Sequence, residues 1–229
     1  MAKTAILVDG GFYRRKYAKG LEHTPEQAAN ALVKYCYRHL HEHHIDHDLY
    51  LIFYYDFSPC CKKIFHPLQN RTVDFSKTPH YEWMNQFLKE LTKKRKVALR
   101  LGTIDEGSAT YVLNERATKD IVLKKRSIEE LSERDFSVSI KQKGVDMKIG
   151  MDIASLAYKK QVDQIVLIAG DADFVPAAKL ARREGIDFVL DPLGHAIKDD
   201  LFEHIDGKRS CGDPYSPKKA DARKEPAAC

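Results

Sequence analysis

The chain lacks several features that would place it in other protein classes. No apolar run approaches the ~20 residues that a membrane-spanning helix requires. The amino terminus, MAKTAILVDG, lacks the apolar core and cleavage site of a secretion signal. The five cysteines are odd in number and form no CxxC pair, so a disulfide framework is not expected. These absences predict a protein without a membrane segment, and a cytoplasmic location is the default expectation.

The composition predicts a folded domain with a mildly basic surface. A length of 229 residues and a hydrophobic share of 43% suffice for one real core. The net charge is +5, and basic residues cluster at Lys93–Lys96, at Lys124–Arg126 and at Lys141 and Lys143. Such clusters could neutralise phosphates. For any single cluster, a solvated helix end is the better account.

Apolar runs alternate with helical periodicity along the chain. The runs that indicate buried strands are 4–9, 48–56, 97–104, 164–171 and 186–191. A capping box with proline begins at Thr24, Thr78-Pro79 starts a second helix, and further helices are predicted at 145–160 and 173–184. Strands separated by helices are typical of an α/β fold with a central parallel sheet flanked by helices.

Three stretches fall outside this regular pattern. Residues 57–80 form a long proline-containing loop, and residues 105–136 are polar and irregular, as in a helical insertion. The stretch 207–229 has six lysines and arginines, three prolines and few large apolar residues, which predicts a basic, largely disordered tail. We therefore expect one domain over residues 1–206, with the basic tail adding salt-sensitive attraction for phosphate groups.

Four of the five predicted strands end in aspartate. These residues are Asp9, Asp56, Asp171 and Asp191. In a parallel sheet the carboxyl ends of the strands share one edge, and ligands bind there where the strand order reverses. Repulsion between clustered carboxylates is relieved by a hard divalent cation, and Mg²⁺ or Mn²⁺ prefers oxygen ligands. The alternative is structural, because aspartate also starts turns and caps helices.

Three short motifs make the sequence resemble the NYN domain family, of the LabA-like type, within the PIN-like nuclease superfamily. Asp9-Gly10-Gly11 follows an apolar strand, Lys143-Gly144-Val145-Asp146 precedes Asp152 on a helix, and Ala169-Gly170-Asp171-Ala172-Asp173-Phe174 resembles the third motif, S-G-D-x-D-F. The resemblance spans about residues 3–205. It implies a PIN-like three-layer sandwich with a central parallel sheet.

The resemblance also implies an activity and a site. The activity is metal-dependent endoribonuclease cleavage of RNA, with Mg²⁺ or Mn²⁺ as cofactor. The metal and catalytic residues implied are Asp9, Asp146, Asp171 and Asp173, with Asp152 as a further metal ligand. Lys143, Arg14 and Arg15 are candidate nucleic-acid contacts.

A second interpretation stays open, in which the domain is a non-catalytic PIN-like module that binds RNA or protein. Ala169 stands where the third motif often has a hydroxyl residue, and Gly11-Phe12 stands where many relatives have asparagine. The sequence also leaves open whether the protein forms a homodimer.

Two other groups of residues allow more than one interpretation. The segment 38–47 has five histidines, and Cys36, His39 and His43 would share a helix face. A zinc site is conceivable there, although a solvated helix end is the plainer account. Tyr54, Tyr55, Phe57 and Trp83 could stack on bases, but core packing is the simpler expectation for Tyr54 and Trp83.

Overall fold

The computed structural model describes residues 1–17, 21–42, 45–197 and 199–216. The strands are β1 (Lys3–Asp9), β2 (His41–Glu42), β3 (Ile45–Asp46), β4 (Asp48–Phe57), β5 (Lys63–His66), β6 (Arg71–Asp74), β7 (Val97–Leu113), β8 (Phe136–Lys143), β9 (Gln164–Ile168), β10 (Asp187–Asp191) and β11 (Gly207–Lys208). The helices are α1 (Gly10–Tyr17), α2 (Pro25–Arg38), α3 (Pro79–Thr92), α4 (Glu115–Val122), α5 (Val145–Tyr158), α6 (Val175–Arg183) and α7 (Asp199–Phe202).

The central sheet has the order β11-β10-β9-β1-β4-β7-β8. The pairs from β11 across to β7 are parallel, and β8 runs antiparallel to β7. The chain leaves β1 for β4 on one side and later returns to β9 on the other side. The strand order therefore reverses between β1 and β9, which is where ligands bind in sheets of this kind.

Helices cover both faces of the sheet and form two cores. In β1, Ala5 and Leu7 pack on the side of α5 and α6, whereas Ile6 and Val8 pack on the side of α2 and α3. This alternation follows the two-residue period of a strand buried on both faces. The predicted three-layer α/β sandwich with a central, mostly parallel sheet is confirmed.

The predicted helix starts are confirmed, but β9 is shorter than predicted. Thr24 Oγ1 accepts a hydrogen bond from the Gln27 amide at 3.2 Å, and Gln27 Oε1 accepts one from the Thr24 amide at 3.0 Å. Strand β9 ends at Ile168, so Asp171 lies three residues beyond it, before a short 3₁₀ turn over Ala172–Phe174. A β-carbon on Gly170 would lie 2.4 Å from Phe12 Cε2. Only glycine lets the loop pass beneath this ring of α1.

Both irregular stretches contain β structure, contrary to the sequence interpretation. The loop 57–80 includes the antiparallel hairpin β5–β6. The expected helical insertion at 105–136 is wrong in its first third, because β7 continues to Leu113 and pairs with β8 beyond the edge of the sheet. We call this antiparallel ribbon, residues 103–113 and 136–143, the arm. Val138 and Ile140 of β8 are half-buried while Ser137 and Ser139 are exposed, so the two-residue period of a strand was present in the sequence.

The stretch predicted as a tail begins inside the fold. Strand β11 pairs with β10, and the Arg38 guanidinium donates hydrogen bonds to the carbonyl oxygens of Cys211, Asp213 and Ser216 at 2.7–3.0 Å. The domain boundary predicted at residue 206 therefore falls too early. Residues 217–229 lie outside the described part of the chain.

Candidate active site

Asp9 and Asp146 enter the site from two different elements. Asp9 is the last residue of β1, is half-buried, and accepts a hydrogen bond from the Phe12 amide at 3.0 Å. Asp146 lies in the first turn of α5, which the returning strand β8 delivers to the same edge of the sheet. Both carboxylates line one cavity of about 400 Å³, whose walls also include Arg15, Tyr55, Asp56 and Gly144. We call it the acidic cavity.

The pKa values of Asp9 and Asp146 at this edge are raised by burial and by neighbouring negative charge. Burial raises the pKa of Asp9, and the negative charges of Asp56 and Asp146 raise it further, against the Phe12 hydrogen bond and the positive charge of Arg15. Burial also raises the pKa of Asp146, with added repulsion from Asp171 and Asp173. A continuous line of like charges therefore runs from Asp9 through Asp146 to the loop after β9.

Asp171 and Asp173 sit on the exposed loop that follows β9. The Asp171 Oδ1 atom accepts a hydrogen bond from the Asp173 amide at 3.2 Å, and both residues are exposed. Within the described residues, no three side chains of His, Cys, Asp or Glu come together as a preformed metal-binding group. The predicted acids therefore lie along the edge where the strand order reverses, but among the described residues they are not gathered into one cluster.

Asp152 is bound by other side chains. It is half-buried on α5, and its Oδ2 accepts hydrogen bonds from the Tyr55 hydroxyl at 2.8 Å and from Arg100 Nε at 3.1 Å. The arrangement orients Asp152 toward β4 and β7. Its role as a further metal ligand stays a prediction.

The three basic residues predicted to contact phosphate differ in whether their charged groups are already paired. Arg14 is bound through Nε and Nη2 to the two carboxylate oxygens of Asp56, each at 2.9 Å. Arg15 is exposed and lines the acidic cavity. Lys143 is also exposed, at the end of β8 two residues before α5. Arg15 and Lys143 are therefore better placed than Arg14 to meet a phosphate.

Two of the four predicted strand-end aspartates have structural partners. Asp56 is 3% exposed and accepts hydrogen bonds from Arg14, the Tyr54 hydroxyl and the Phe57 amide. Asp191 is fully buried and accepts hydrogen bonds from the Tyr35 hydroxyl, the Leu193 amide and the Ser210 hydroxyl, and its Oδ2 lies 2.9 Å from His39 Nε2. For these two residues the structural interpretation holds.

Core packing also accounts for two residues of the conceivable zinc site and for two of the aromatic residues. His39 is buried against Asp191, and Cys36 is in the core, where burial raises the pKa of its thiol. His43, the third candidate, lies outside the described residues. Tyr54 is fully buried, and Trp83 stacks on Phe87 with ring centroids 5.1 Å apart. Both belong to the core, as the simpler expectation had it.

The fold is an α/β sandwich with a central, mostly parallel sheet. The NYN domain family model matches residues 71–196. The chain belongs to the NYN domain family, whose members are generally nucleases that use divalent metals. The matched segment contains Asp146, Asp152, Asp171 and Asp173, whereas Asp9 precedes it.

Comparison with other proteins adds little to this assignment. A solved structure of a protein of unknown function from Vibrio parahaemolyticus is similar, with 16% identity and a TM-score of 0.48 over 93% of this chain and 94% of that one. No curated protein matches the sequence. Among the described residues, no helix combines the length and apolar character needed to cross a bilayer.

Proposed function

We propose that the protein is a metal-dependent endoribonuclease whose site is the acidic cavity together with the loop after β9. The observation that carries this proposal is the line of mutually repelling carboxylates from Asp9 to Asp173 at the point where the strand order reverses. Burial, and to a lesser degree the neighbouring negative charge, raises the pKa of both Asp9 and Asp146, and a cation beside such carboxylates would stabilise their ionised form. The donor set consists of oxygen atoms, which suits Mg²⁺ or Mn²⁺.

Each residue has a definite part in this proposal. Asp9, Asp146 and Asp171 would hold the cation, with Asp173 as the fourth ligand and Asp152 as a reserve ligand held by Tyr55 and Arg100. When bound, the cation would supply charge stabilisation at the scissile phosphate. Arg15 and Lys143 would orient the phosphate by charge-assisted hydrogen bonds. Arg14 would act indirectly, by fixing Asp56 in the wall of the cavity.

The domain that carries this site would comprise residues 1–216, since β11 and the contacts of Arg38 belong to the same fold. The basic residues beyond it, Lys218, Lys219, Arg223 and Lys224, would add nonspecific attraction for RNA. The alternative is a PIN-like module that binds RNA or protein without cutting, which Ala169 in the third motif favours.

The deciding test is cleavage of labelled single-stranded RNA, and of DNA of the same sequence, with Mn²⁺, Mg²⁺ or EDTA. We expect RNA cleavage that requires metal and that Asp171→Asn abolishes, a loss larger than the ~10–100-fold typical of outer-shell changes. Asp48→Asn is the matched control, because Asp48 is exposed at the start of β4, on the opposite edge of the sheet. A folded Asp171→Asn protein that cuts at the wild-type rate would refute the proposal.

A further inference from the structure

A second cavity lies beside the acidic cavity, on the other side of the Arg14–Asp56 ion pair. Both cavities are lined by Arg14, Asp56, Phe57 and Gln142, so the ion pair forms a partition between them. The second cavity has a volume of about 250 Å³. This is slightly below the ~300–1,000 Å³ of sites for drug-sized ligands, which suits a smaller, flat group. We call it the aromatic cleft.

The walls of the aromatic cleft are aromatic and aliphatic. Phe57, Phe75 and Tyr81 contribute rings, and Val138 and Ile140 of the arm face them from β8. All five side chains are only half-buried, so apolar surface remains open to the cleft. Aromatic rings at this exposure offer the stacking surfaces on which unpaired bases rest.

A few polar groups converge on the same space. Within the described part of the chain, the side chains of Ser58, His80 and Gln142 line the cleft and have no hydrogen-bond partner. Desolvation in the cleft and the positive charge of Arg14 lower the pKa of His80, against the weaker opposing effect of Asp56. A neutral imidazole has one donor and one acceptor, as the edge of a nucleobase requires.

We propose that the aromatic cleft binds one unstacked nucleobase of a single-stranded RNA whose backbone phosphate lies in the acidic cavity. This inference rests on the proposed function, because the occupant of the aromatic cleft is identified from the adjacent acidic cavity, with which it shares a wall. A nucleotide offers a flat apolar face and a polar edge on one side of its sugar and a phosphate on the other. The two cavities present matching surfaces in the same order, with the ion pair between them.

The consequence is a base requirement at one position near the cleaved bond. Single-stranded RNA is read by stacking an extruded base and hydrogen-bonding its edge, and a duplex cannot supply such a base without unstacking it. The protein should therefore prefer single strands over duplexes. Side chains of the aromatic cleft, and not the aspartates of the acidic cavity, should determine this base requirement.

The test uses binding and not cleavage, so that it stands apart from the catalytic proposal. In the Asp171→Asn background, affinity is measured for six-nucleotide RNAs in which each base in turn is replaced by an abasic site. We expect one position at which loss of the base weakens binding by roughly 5- to 150-fold, the equivalent of one base–aromatic stack. Ser58→Trp fills the cleft, and it should weaken binding of the intact RNA and remove this dependence.

A control variant and a second cleft variant distinguish a filled cleft from a misfolded protein. Ser139→Trp places the same ring on the exposed, opposite face of β8 and should leave the abasic profile unchanged. If Ser58→Trp does not fold, His80→Ala, in the first turn of α3, should reduce the sensitivity at the same position. Circular dichroism melting of each variant checks the fold.

The outcomes separate the two proposals. A single sensitive position that Ser58→Trp removes supports the cleft even if the wild type cuts nothing. An even abasic profile in a protein that cleaves RNA overturns the cleft and leaves the nuclease proposal intact. A profile that Ser58→Trp does not alter, or the absence of any RNA binding, also overturns the cleft.

Discussion

Arg14 donates from Nε and from Nη2 to the two carboxylate oxygens of Asp56, each at 2.9 Å. The aspartates of the sheet edge fall into two groups, those bound by neighbouring donors, as in this bidentate pair, and those with raised pKa values. Asp56, like Asp191, is bound by surrounding donors, whereas Asp9 and Asp146 have raised pKa values and face neighbouring negative charge. Substitution by asparagine should therefore have opposite effects on stability in the two groups.

Asp56→Asn should destabilise the protein. Removing one partner of a buried ion pair leaves the other charge uncompensated, and this typically costs 3–5 kcal/mol. The Arg14 side chain is 21% exposed, so we expect the low end, about 3 kcal/mol. Urea unfolding measures the effect, with Asp48→Asn as a surface control expected within about 0.5 kcal/mol. A loss below about 1 kcal/mol for Asp56→Asn would show that the pair is not a structural element.

Asp146→Asn should stabilise the metal-free protein near neutral pH. The folded-state pKa of Asp146 is raised above the 3.8 of the unfolded carboxyl, so ionisation is less favourable in the folded state. The penalty is present above the raised pKa and absent below 3.8, where the carboxyl is protonated in both states. Melting temperatures of wild type and variant in EDTA should differ near neutral pH and converge in acid. A variant less stable than wild type near neutral pH would contradict the raised pKa, which burial causes first and the charges of Asp171 and Asp173 increase.

Added Mn²⁺ should raise the melting temperature of the wild-type protein. A ligand that binds only the folded state at 100 times its Kd stabilises by about 2.7 kcal/mol. Asp171→Asn should lose most of this gain, whereas Asp48→Asn should retain it. Calorimetric scans with Mn²⁺ and with EDTA make the comparison without any nuclease assay. Equal stabilisation of wild type and Asp171→Asn would remove Asp171 from the metal site.

Truncations at two positions should separate folding from RNA attraction. Deleting 207–229 removes β11 and the three carbonyl acceptors of Arg38, so the protein should lose stability. Deleting 217–229 removes four basic and two acidic residues and should leave the fold intact. It should make the slope of log affinity against log salt shallower by at most about 3. The tail proposal fails if this shorter deletion leaves affinity and salt slope unchanged.

Local sequence patterns were sufficient for the layers of the fold. The capping box at Thr24 and the Thr78-Pro79 start are determined by residues within one helical turn, so they could be predicted without knowledge of the tertiary structure. The apolar run of β1 indicated a strand covered on both faces, and it is. The arm was missed because its polar, half-exposed strands lack such a run, although Phe136, Val138 and Ile140 alternate with polar neighbours.

The sequence could not show which strand-end aspartates are structural, because their hydrogen-bond partners are distant in sequence. Asp56 and Asp191 follow the same strand-end pattern as Asp9. Their partners Arg14, Tyr35 and His39 come from α1 and from the α2 region, 42 to 156 residues away. The aromatic cleft was missed for the same reason, since His80 and Gln142 are brought together only by the arm. Burial and neighbouring charge, not position in the sequence, separate the structural aspartates from those of the acidic cavity.

If the proposed function holds, the arm would also set how much of an RNA strand the protein touches. Strand β8 contributes eight residues to it, a length of about 25 Å beyond the edge where the acids lie. His66, from the hairpin β5–β6, packs between Tyr111 and Phe136 at centroid distances of 4.3 and 5.2 Å and braces the arm. Together with the proposed nuclease site, a braced wall of this height would give the protein a footprint of several nucleotides. Shortening the substrate below that footprint would then lower the catalytic efficiency even though the bond to be cut and both its neighbours were still present.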